Sequence, residues 1–232
     1  MCGALTHNNS STELTGFNLT IALAQKMITD QQKIKLAPAA YHRLVASRQV
    51  VLQTTQPVYG MNTGVGQNKD LAITNQSMVK FNLNLVKSHQ ISIGRASTWR
   101  TSKLVMLIRI SQLLQGRTGL NPEIVQLLVT LFNADVIPVF YECGSIGEAD
   151  IGVLSALAAV VMGQGKVWYH QHKVATAKVF QQLNLQPVVL GPKDALAILS
   201  SNTFGVGQAI TALSQSQALF KLAQLSLGLS LE

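Results

Sequence analysis

The sequence predicts a mainly α-helical protein, a bundle of long helices with a small irregular N-terminal region. Apolar residues recur at helical spacing along most of the chain, and polar residues concentrate in the short Gly- and Asn-rich loops between those stretches. Apolar residues make up 47% of the 232 residues and charged residues only 12%, which excludes a disordered chain. This composition indicates extensive burial against other helices or other subunits.

The N-terminal part predicts a lead-in followed by one domain. Residues 1–16 are polar and predict a flexible segment, and residues 17–232 form the helical domain. The first helix is predicted over residues 19–30. The second spans residues 36–53 and has Pro38 in its first turn, where a missing N–H costs no hydrogen bond.

Further helices are predicted after a Gly- and Asn-rich loop at residues 59–70. An extended segment at 136–140 and a small hairpin or irregular segment at 166–179 interrupt them. The last helix has no Gly or Pro stop signal, so we expect the chain to be truncated within it. The helical segments are residues 72–90, 101–115, 122–135, 153–162 and 208–232.

Three loops contain the residues that could act in chemistry, and each also has a structural interpretation. Tyr59 lies in YGMNTGVG, either a mobile segment carrying an acid/base group or an ordinary surface loop. Glu148 and Asp150 precede an apolar helix, where carboxylates cap the helix or project into a cavity. Asn202 precedes the last helix, a position typical of cap and turn residues.

Taken in order, five segments of the chain resemble the histidine and phenylalanine ammonia-lyases. YGMNTGVG resembles the family loop Tyr-Gly-[Ile/Val]-Asn-Thr-Gly-Phe-Gly, and NLVKSHQISIG resembles its Asn-Leu-x-x-Ser-His segment. The other three segments are GRTGLNPEIVQLLVTLFNADVIPVFYECGSIG, DALAILSSNTFG and LSLGLSLE. The resemblance covers nearly the whole chain and identifies it as the N-terminal portion of such a protein, with a fold of the ammonia-lyase/fumarase-like type.

The resemblance implies an almost all-α homotetramer whose active sites combine several subunits and bind a small amino acid substrate. By the same resemblance, Tyr59 is the base that removes the β-proton of that substrate. His89 helps bind the substrate. So do Asn62 and Gly66 of the loop at residues 59–70 that begins with Tyr59, here called the tyrosine loop. Asn202 lines the pocket beside the family's electrophile.

The sequence departs from the family where that electrophile forms. In the family an Ala-Ser-Gly triplet cyclises with loss of water to a methylidene-imidazolone, whereas here a one-residue deletion leaves Glu148 and Ala149 before Asp150. Ala149 has no hydroxyl to lose, and Asp150 is not the glycine whose nitrogen closes the ring. Ser145 has a hydroxyl, but the β-branched Ile146 follows it. We therefore predict no cofactor of this kind, and carboxylates at Glu148 and Asp150 in its place.

Three functions remain open from the sequence. The first is a lyase that retains Tyr59, His89 and Asn202 with altered electrophile chemistry and eliminates ammonia from an L-amino acid to give an aryl acrylate. His89 favours a histidine-type substrate. The second is a non-catalytic homologue that acts as a scaffold or binding subunit, and the third is a small-molecule binding or assembly module. We expect the portion given by this sequence to be inactive alone.

Charge and cysteine content argue against other classes of protein. The net charge is +8, but the basic residues are scattered singly without aromatic interleaving, so we expect no nucleic-acid partner. No uninterrupted apolar run is long enough for a membrane span, and no secretory signal pattern begins the chain, so we expect a cytoplasmic protein. Cys2 and Cys143 have neither metal-ligand nor disulfide spacing, and no metal site is predicted.

Overall fold

The computed structural model of the chain describes residues 10–147 and 149–231. Helices dominate, which confirms the predicted mainly α-helical class. The helices are α1 (Ile21–Thr29), α2 (Pro38–Gln53), α3 (Met78–Ser88), α4 (Trp99–Leu113), α5 (Pro122–Asn133), α6 (Ile151–Val161), α7 (Thr176–Gln182), α8 (Asp194–Leu199) and α9 (Thr203–Leu231). The strands are β1 (Ser11–Leu14), β2 (Lys33–Leu36), β3 (Ile93–Ala96), β4 (Ile137–Pro138), β5 (Tyr141–Cys143), β6 (Lys166–Tyr169) and β7 (His172–Ala175).

The end of the predicted lead-in is ordered. β1 pairs in parallel with β2, and Leu14 is fully buried at the end of β1. The prediction of a flexible segment is therefore wrong for residues 11–14, and residues 1–9 lie outside the described part of the chain. Both strands are only four residues long, too short for alternating hydrophobicity to reveal them.

The tyrosine loop extends further than the sequence indicated, so α3 begins later than the helical period predicted. Thr63 forms a bridge with Ala72, which holds the chain extended where the helix was expected to begin. The Thr74 hydroxyl then accepts a hydrogen bond from the Ser77 N–H, and a short 3₁₀ turn leads into α3. The segment predicted at 166–179 as a small hairpin or irregular stretch contains the antiparallel pair β6–β7 as far as Ala175. Its last residues instead begin helix α7 at Thr176.

Helix α4 forms the centre of the core and contacts α1, α5 and α9. Nearly every residue from Ser102 to Leu113 is buried, including two cations. Lys103 is neutralised by Asp135, with 2.7 Å between Nζ and Oδ1, and also lies over the Trp99 ring. The second cation, Arg109, bonds to neutral groups described with the site below.

A buried ion pair fixes the start of α8. The Asp194 side chain has no exposed surface and lies 3.1 Å from the Arg48 guanidinium on α2. Its carboxylate also accepts hydrogen bonds from the backbone N–H groups of Asn121 and Gly191. Arg48 in turn donates to the carbonyl oxygens of Gly119 and Pro192. The pair therefore joins α2, the loop before α5 and the turn before α8.

The long last helix is buried only at its beginning. Thr203, Phe204, Gly207 and Ile210 are buried, whereas the later turns are exposed. The stretch Asp194–Leu231 is long and apolar enough to cross a membrane by length and composition. Of its apolar stretch of 18 residues, 39% is buried within the protein. A core helix meets the same criterion, so this is weak support for a membrane span. The large exposed side chains of the later turns are Leu213, Leu219, Phe220, Leu222, Leu225, Leu227, Leu229 and Leu231.

Candidate functional site

The tyrosine loop is held by hydrogen bonds between its own residues and those just before it. The Tyr59 side chain is 51% exposed, and its hydroxyl oxygen accepts a hydrogen bond from the Gly66 N–H at 3.1 Å. Asn62 accepts from the Val58 N–H through Oδ1 at 2.7 Å and donates through Nδ2 to the Gln56 carbonyl at 2.9 Å. The Asn62 amide therefore holds the loop together, while the Tyr59 ring remains accessible.

This loop packs against α8. Gly60 adopts a φ of +67°, and a Cβ there would collide with the Leu196 side chain. Gly66 has a φ of +57° with open space around it. Glycine is therefore favoured there by the backbone conformation of the turn and not by a close contact. The close approach at Gly60 places the tyrosine loop beside the helix that leads to Asn202.

His89 ends α3 with its ring orientation fixed. Nδ1 lies 2.7 Å from the Leu85 carbonyl oxygen, which can only accept, so Nδ1 carries the hydrogen. The Nε2 atom of the neutral ring is then an acceptor, and the side chain is half-buried. β3 follows shortly after His89 and pairs with β5, with Ile93 opposite Cys143. The segment around His89 (residues 84–94), here called the histidine segment, and the loop after Cys143 are therefore held side by side.

The loop that replaces the family triplet follows β5. Gly144 lies so close to Ser92 that an added Cβ would be 2.8 Å from the Ser92 Cβ. Ile146 is 96% exposed, and the Ser145 hydroxyl accepts a hydrogen bond from the Gly147 N–H. Glu148 lies outside the described residues.

Asp150 joins the beginnings of α6 and α9. It is 5% exposed and immediately precedes α6, but its carboxylate makes no cap bond to that helix. Instead, Oδ2 accepts from the Gly205 N–H in the first turn of α9 at 2.9 Å, and the Asp150 N–H donates to the Ser201 carbonyl at 2.8 Å. A carboxylate is stabilised at this position by the positive ends of both helix dipoles. The capping predicted from sequence therefore occurs on a different helix.

Asn202 is exposed at the start of α9. Its carbonyl accepts from the Val206 N–H, but its side chain makes no hydrogen bond with any residue in 10–147 or 149–231. The neighbouring Ser201 is strongly held, because its hydroxyl donates to Gln112 on α4 at 2.7 Å. Gln112 also accepts from Arg109, and the sequence alone did not point to either residue. An arginine within the apolar run of α4 was the signal that could have indicated them.

The structure connects the predicted segments by pairwise contacts. The tyrosine loop contacts α8, the histidine segment lies against the loop at 144–147, and that loop reaches the start of α9 through Asp150. A groove of about 650 Å³ between α1, α4 and α9 is lined by none of the predicted site residues. Within the described ranges, no group of three His, Cys, Asp or Glu side chains could hold a metal ion.

The residues present do not fit the ring electrophile of the resembling family. Ring closure needs a residue that loses its side-chain hydroxyl, followed by a residue whose backbone nitrogen is free. Ala149 has no side-chain hydroxyl. The Asp150 N–H is already bonded to the Ser201 carbonyl, and the Asp150 side chain is bonded to Gly205.

Known proteins give consistent matches over nearly the whole chain. The family model described as aromatic amino acid lyase matches residues 19–232. Histidine ammonia-lyase of Bacillus velezensis is 33% identical over 86% of this chain and 39% of its own length. The human histidine ammonia-lyase is 30% identical over 95% of this chain and 34% of its own length. The chain thus spans about two fifths or less of these relatives.

Solved structures agree with the sequence matches. The ergothioneine-degrading enzyme ergothionase from Treponema denticola superposes with a TM-score of 0.88 at 28% identity, over 90% of this chain and 43% of that one. Histidine ammonia-lyase from Trypanosoma cruzi superposes with a TM-score of 0.82 at 27% identity, over 91% and 41%. Together with the family match across residues 19–232, these similarities show that the chain belongs to the aromatic amino acid lyase family.

Proposed function

We propose that the full-length protein eliminates ammonia from a histidine-type L-amino acid to give an aryl acrylate, without the methylidene-imidazolone ring. The observation that carries the proposal is a set of contacts in a member of this family. They link the tyrosine loop to α8, the histidine segment to the loop after β5, and that loop to the start of α9. His89, Asn62, Gly66 and Asn202 would bind substrate. The protein would be a cytoplasmic homotetramer with no membrane or nucleic-acid partner.

Tyr59 is the proposed base. Its phenolate would take the β-proton of the substrate, the C–H electron pair would form the Cα=Cβ bond, and the Cα–N bond would break as the amine leaves with its pair. The Gly66 N–H points at the phenolic oxygen and stabilises negative charge there. The exposure of the ring allows a substrate held by another part of the protein to reach it.

Glu148 and Asp150 stand where the family triplet stands. We propose that they act in the reaction as carboxylates, which attract the positively charged amine of the substrate. Asp150 already accepts from Gly205, so its contribution also includes holding the loop against α9. For Glu148 the proposal rests on its position in the sequence, two residues before Asp150.

A second candidate reaction is favoured by two observations, the missing triplet and the similarity to an ergothioneine-degrading enzyme. Ergothioneine is a histidine betaine whose nitrogen carries three methyl groups. Such a nitrogen leaves as a neutral tertiary amine and needs no electrophile to activate it. The same Tyr59 base and the same bond changes would serve that substrate.

One experiment separates these candidates. The full-length protein is incubated with L-histidine, L-tyrosine, L-phenylalanine, the trimethylammonium betaine of histidine, and ergothioneine. Aryl-acrylate absorbance is followed together with released ammonia or trimethylamine. Ammonia from an amino acid supports the first reaction, and trimethylamine from a betaine supports the second. No acrylate from any of them contradicts both and leaves the protein as a non-catalytic scaffold or binding subunit.

The exposed part of α9 supports the proposed assembly. Its leucines and Phe220 are more than half exposed from Leu219 to Leu231, an apolar surface that water solvates poorly. Light scattering of the full-length protein measures the number of subunits. Four would support the tetramer, and one would contradict it.

A further inference from the structure

Helix α4 holds the junction between α8 and α9. The Ser201 hydroxyl donates to Gln112 Oε1 at 2.7 Å, and the same oxygen accepts from Arg109 Nη1 at 2.9 Å. Ser201 Oγ in turn accepts from the Thr203 N–H at 3.2 Å. Ser201 is therefore tied to the glutamine oxygen, and Thr203 is tied to Ser201.

The buried side chain of Arg109 anchors this arrangement. It is 3% exposed, and no carboxylate among the described residues lies within ion-pair distance of it. Burial lowers the pKa of Arg109 to about 10, which leaves it positively charged at neutral pH. Its Nη2 donates to the Ala197 carbonyl in the last turn of α8, where a cation is favoured by the helix dipole. Arg109 thus anchors the end of α8 and the Gln112 side chain together.

The orientation of Gln112 follows from its partners. Arg109 and the Ser201 hydroxyl both donate, and only the amide oxygen can accept from the two at once. With Gln112 fixed in this way, Ser201 is held from the α4 side through its side chain and from the α6 side through its carbonyl, which accepts from Asp150. Asn202 lies next to this doubly held residue, and its side chain makes no hydrogen bond with the described part of the chain.

We propose that Arg109 and Gln112 are positioning residues that hold the Ser201–Thr203 backbone and so aim the Asn202 amide at the substrate. The proposal rests on the proposed function, in which Asn202 contacts the substrate. Neither Arg109 nor Gln112 needs to touch the substrate, because both act through Ser201.

The test compares two substitutions of one side chain in the full-length protein. Gln112→Met retains the length of the side chain but removes the acceptor, whereas Gln112→Glu retains the acceptor. Ser47→Ala is the matched control. Ser47 lies on α2, away from the site, and its Oγ accepts from the Gly119 N–H in the loop before α5. Hydrogen exchange followed by mass spectrometry reports on peptides that cover residues 200–207.

We expect Gln112→Met to speed exchange across residues 200–207 by about fivefold or more, the effect of losing one net hydrogen bond. Gln112→Glu should restore wild-type exchange, and Ser47→Ala should change exchange only near Gly119. Wild-type exchange in Gln112→Met, or equal damage by Gln112→Glu, would overturn the proposal.

Turnover gives a second measurement on whichever substrate the protein accepts. Gln112→Met should lower kcat by about tenfold, since a misplaced amide aligns the substrate poorly, and Gln112→Glu should recover it. A merely structural role would lower the melting temperature of Gln112→Met and Ser47→Ala alike and leave kcat unchanged, which would contradict positioning. If the protein turns over none of the compounds, the proposed function fails, while hydrogen exchange still decides whether Gln112 holds the junction.

Discussion

Replacing Asp194 by asparagine leaves the shape of the side chain almost unchanged but removes a charge that has no exposed surface. Arg48 would then remain buried without its anion, although the Gly119 and Pro192 carbonyls would still accept from it. The asparagine NH₂ group would also face a backbone N–H, either of Asn121 or of Gly191, so one buried donor would lose its acceptor. Removing the carboxylate charge also removes the cost of burying it, which is the cost that raises the pKa of Asp194. The expected net loss is therefore about 1 to 3 kcal/mol of the free energy of unfolding, the cost of one orphaned buried donor.

Urea unfolding followed by circular dichroism measures this cost. The matched control is Glu13→Gln, an identical chemical change in an exposed pair with Lys35 at 3.9 Å, expected to alter stability by about 0.5 kcal/mol or less. A loss below about 1 kcal/mol for Asp194→Asn would refute the reasoning, because the pair would then contribute no more than a surface contact.

The same pair predicts a pH dependence with a definite sign. Burial raises the pKa of Asp194 above its usual value, and Arg48 and the Asn121 and Gly191 N–H groups oppose that rise. A raised pKa in the folded state means that protonation favours folding, so this contribution is present below the unfolded pKa and is lost as pH rises through the folded pKa. Arg48→Met removes the opposing charge and raises the pKa of Asp194 further. We therefore expect Arg48→Met to be less destabilising at pH 5 than at pH 8, and the reverse order would contradict this account.

Two further predictions concern the tyrosine loop and the turn before α5. Tyr59→Phe should lower turnover by about a hundredfold or more, because the base is lost, with an unchanged melting temperature; retained turnover would exclude Tyr59 as the base. Gly119→Ala should destabilise the protein by about 2 kcal/mol or more, since its φ is +69° and the new Cβ would collide with Val51. Gly66→Ala, with a φ of +57° and open space, should cost only about 1 kcal/mol in the same urea unfolding experiment; equal costs would show that the collision is relieved.

The long helices could be predicted because their periodicity is strong and their caps are local. Asn121 and Pro122 mark the start of α5, and Thr98 caps α4 by accepting from the Thr101 N–H. The strands β1 and β2 could not be predicted in the same way. They are held by a partner about twenty residues away and by one fully buried leucine, Leu14.

The candidate site could be predicted only as a set of loops. The segments around Tyr59, His89 and Asn202 were indicated by their resemblance to a family, but what holds them in place depends on contacts distant in sequence. Gln112 and Ser201 are 89 residues apart, and Asp150 and Gly205 are 55 apart. No local pattern reveals such pairs, which is why Asp150 was expected to cap the helix beside it.

The mass of the peptide that covers residues 143–151 tests the central claim most directly, namely that this family member works without the ring electrophile. Purified full-length protein is digested and the peptide is measured, with near-UV absorbance of the intact protein recorded in parallel. We predict the mass given by the sequence, with no additional near-UV band. A mass lower by the loss of water within residues 143–151 would contradict the claim, since the chain would then have closed a ring through residues that lack the family triplet.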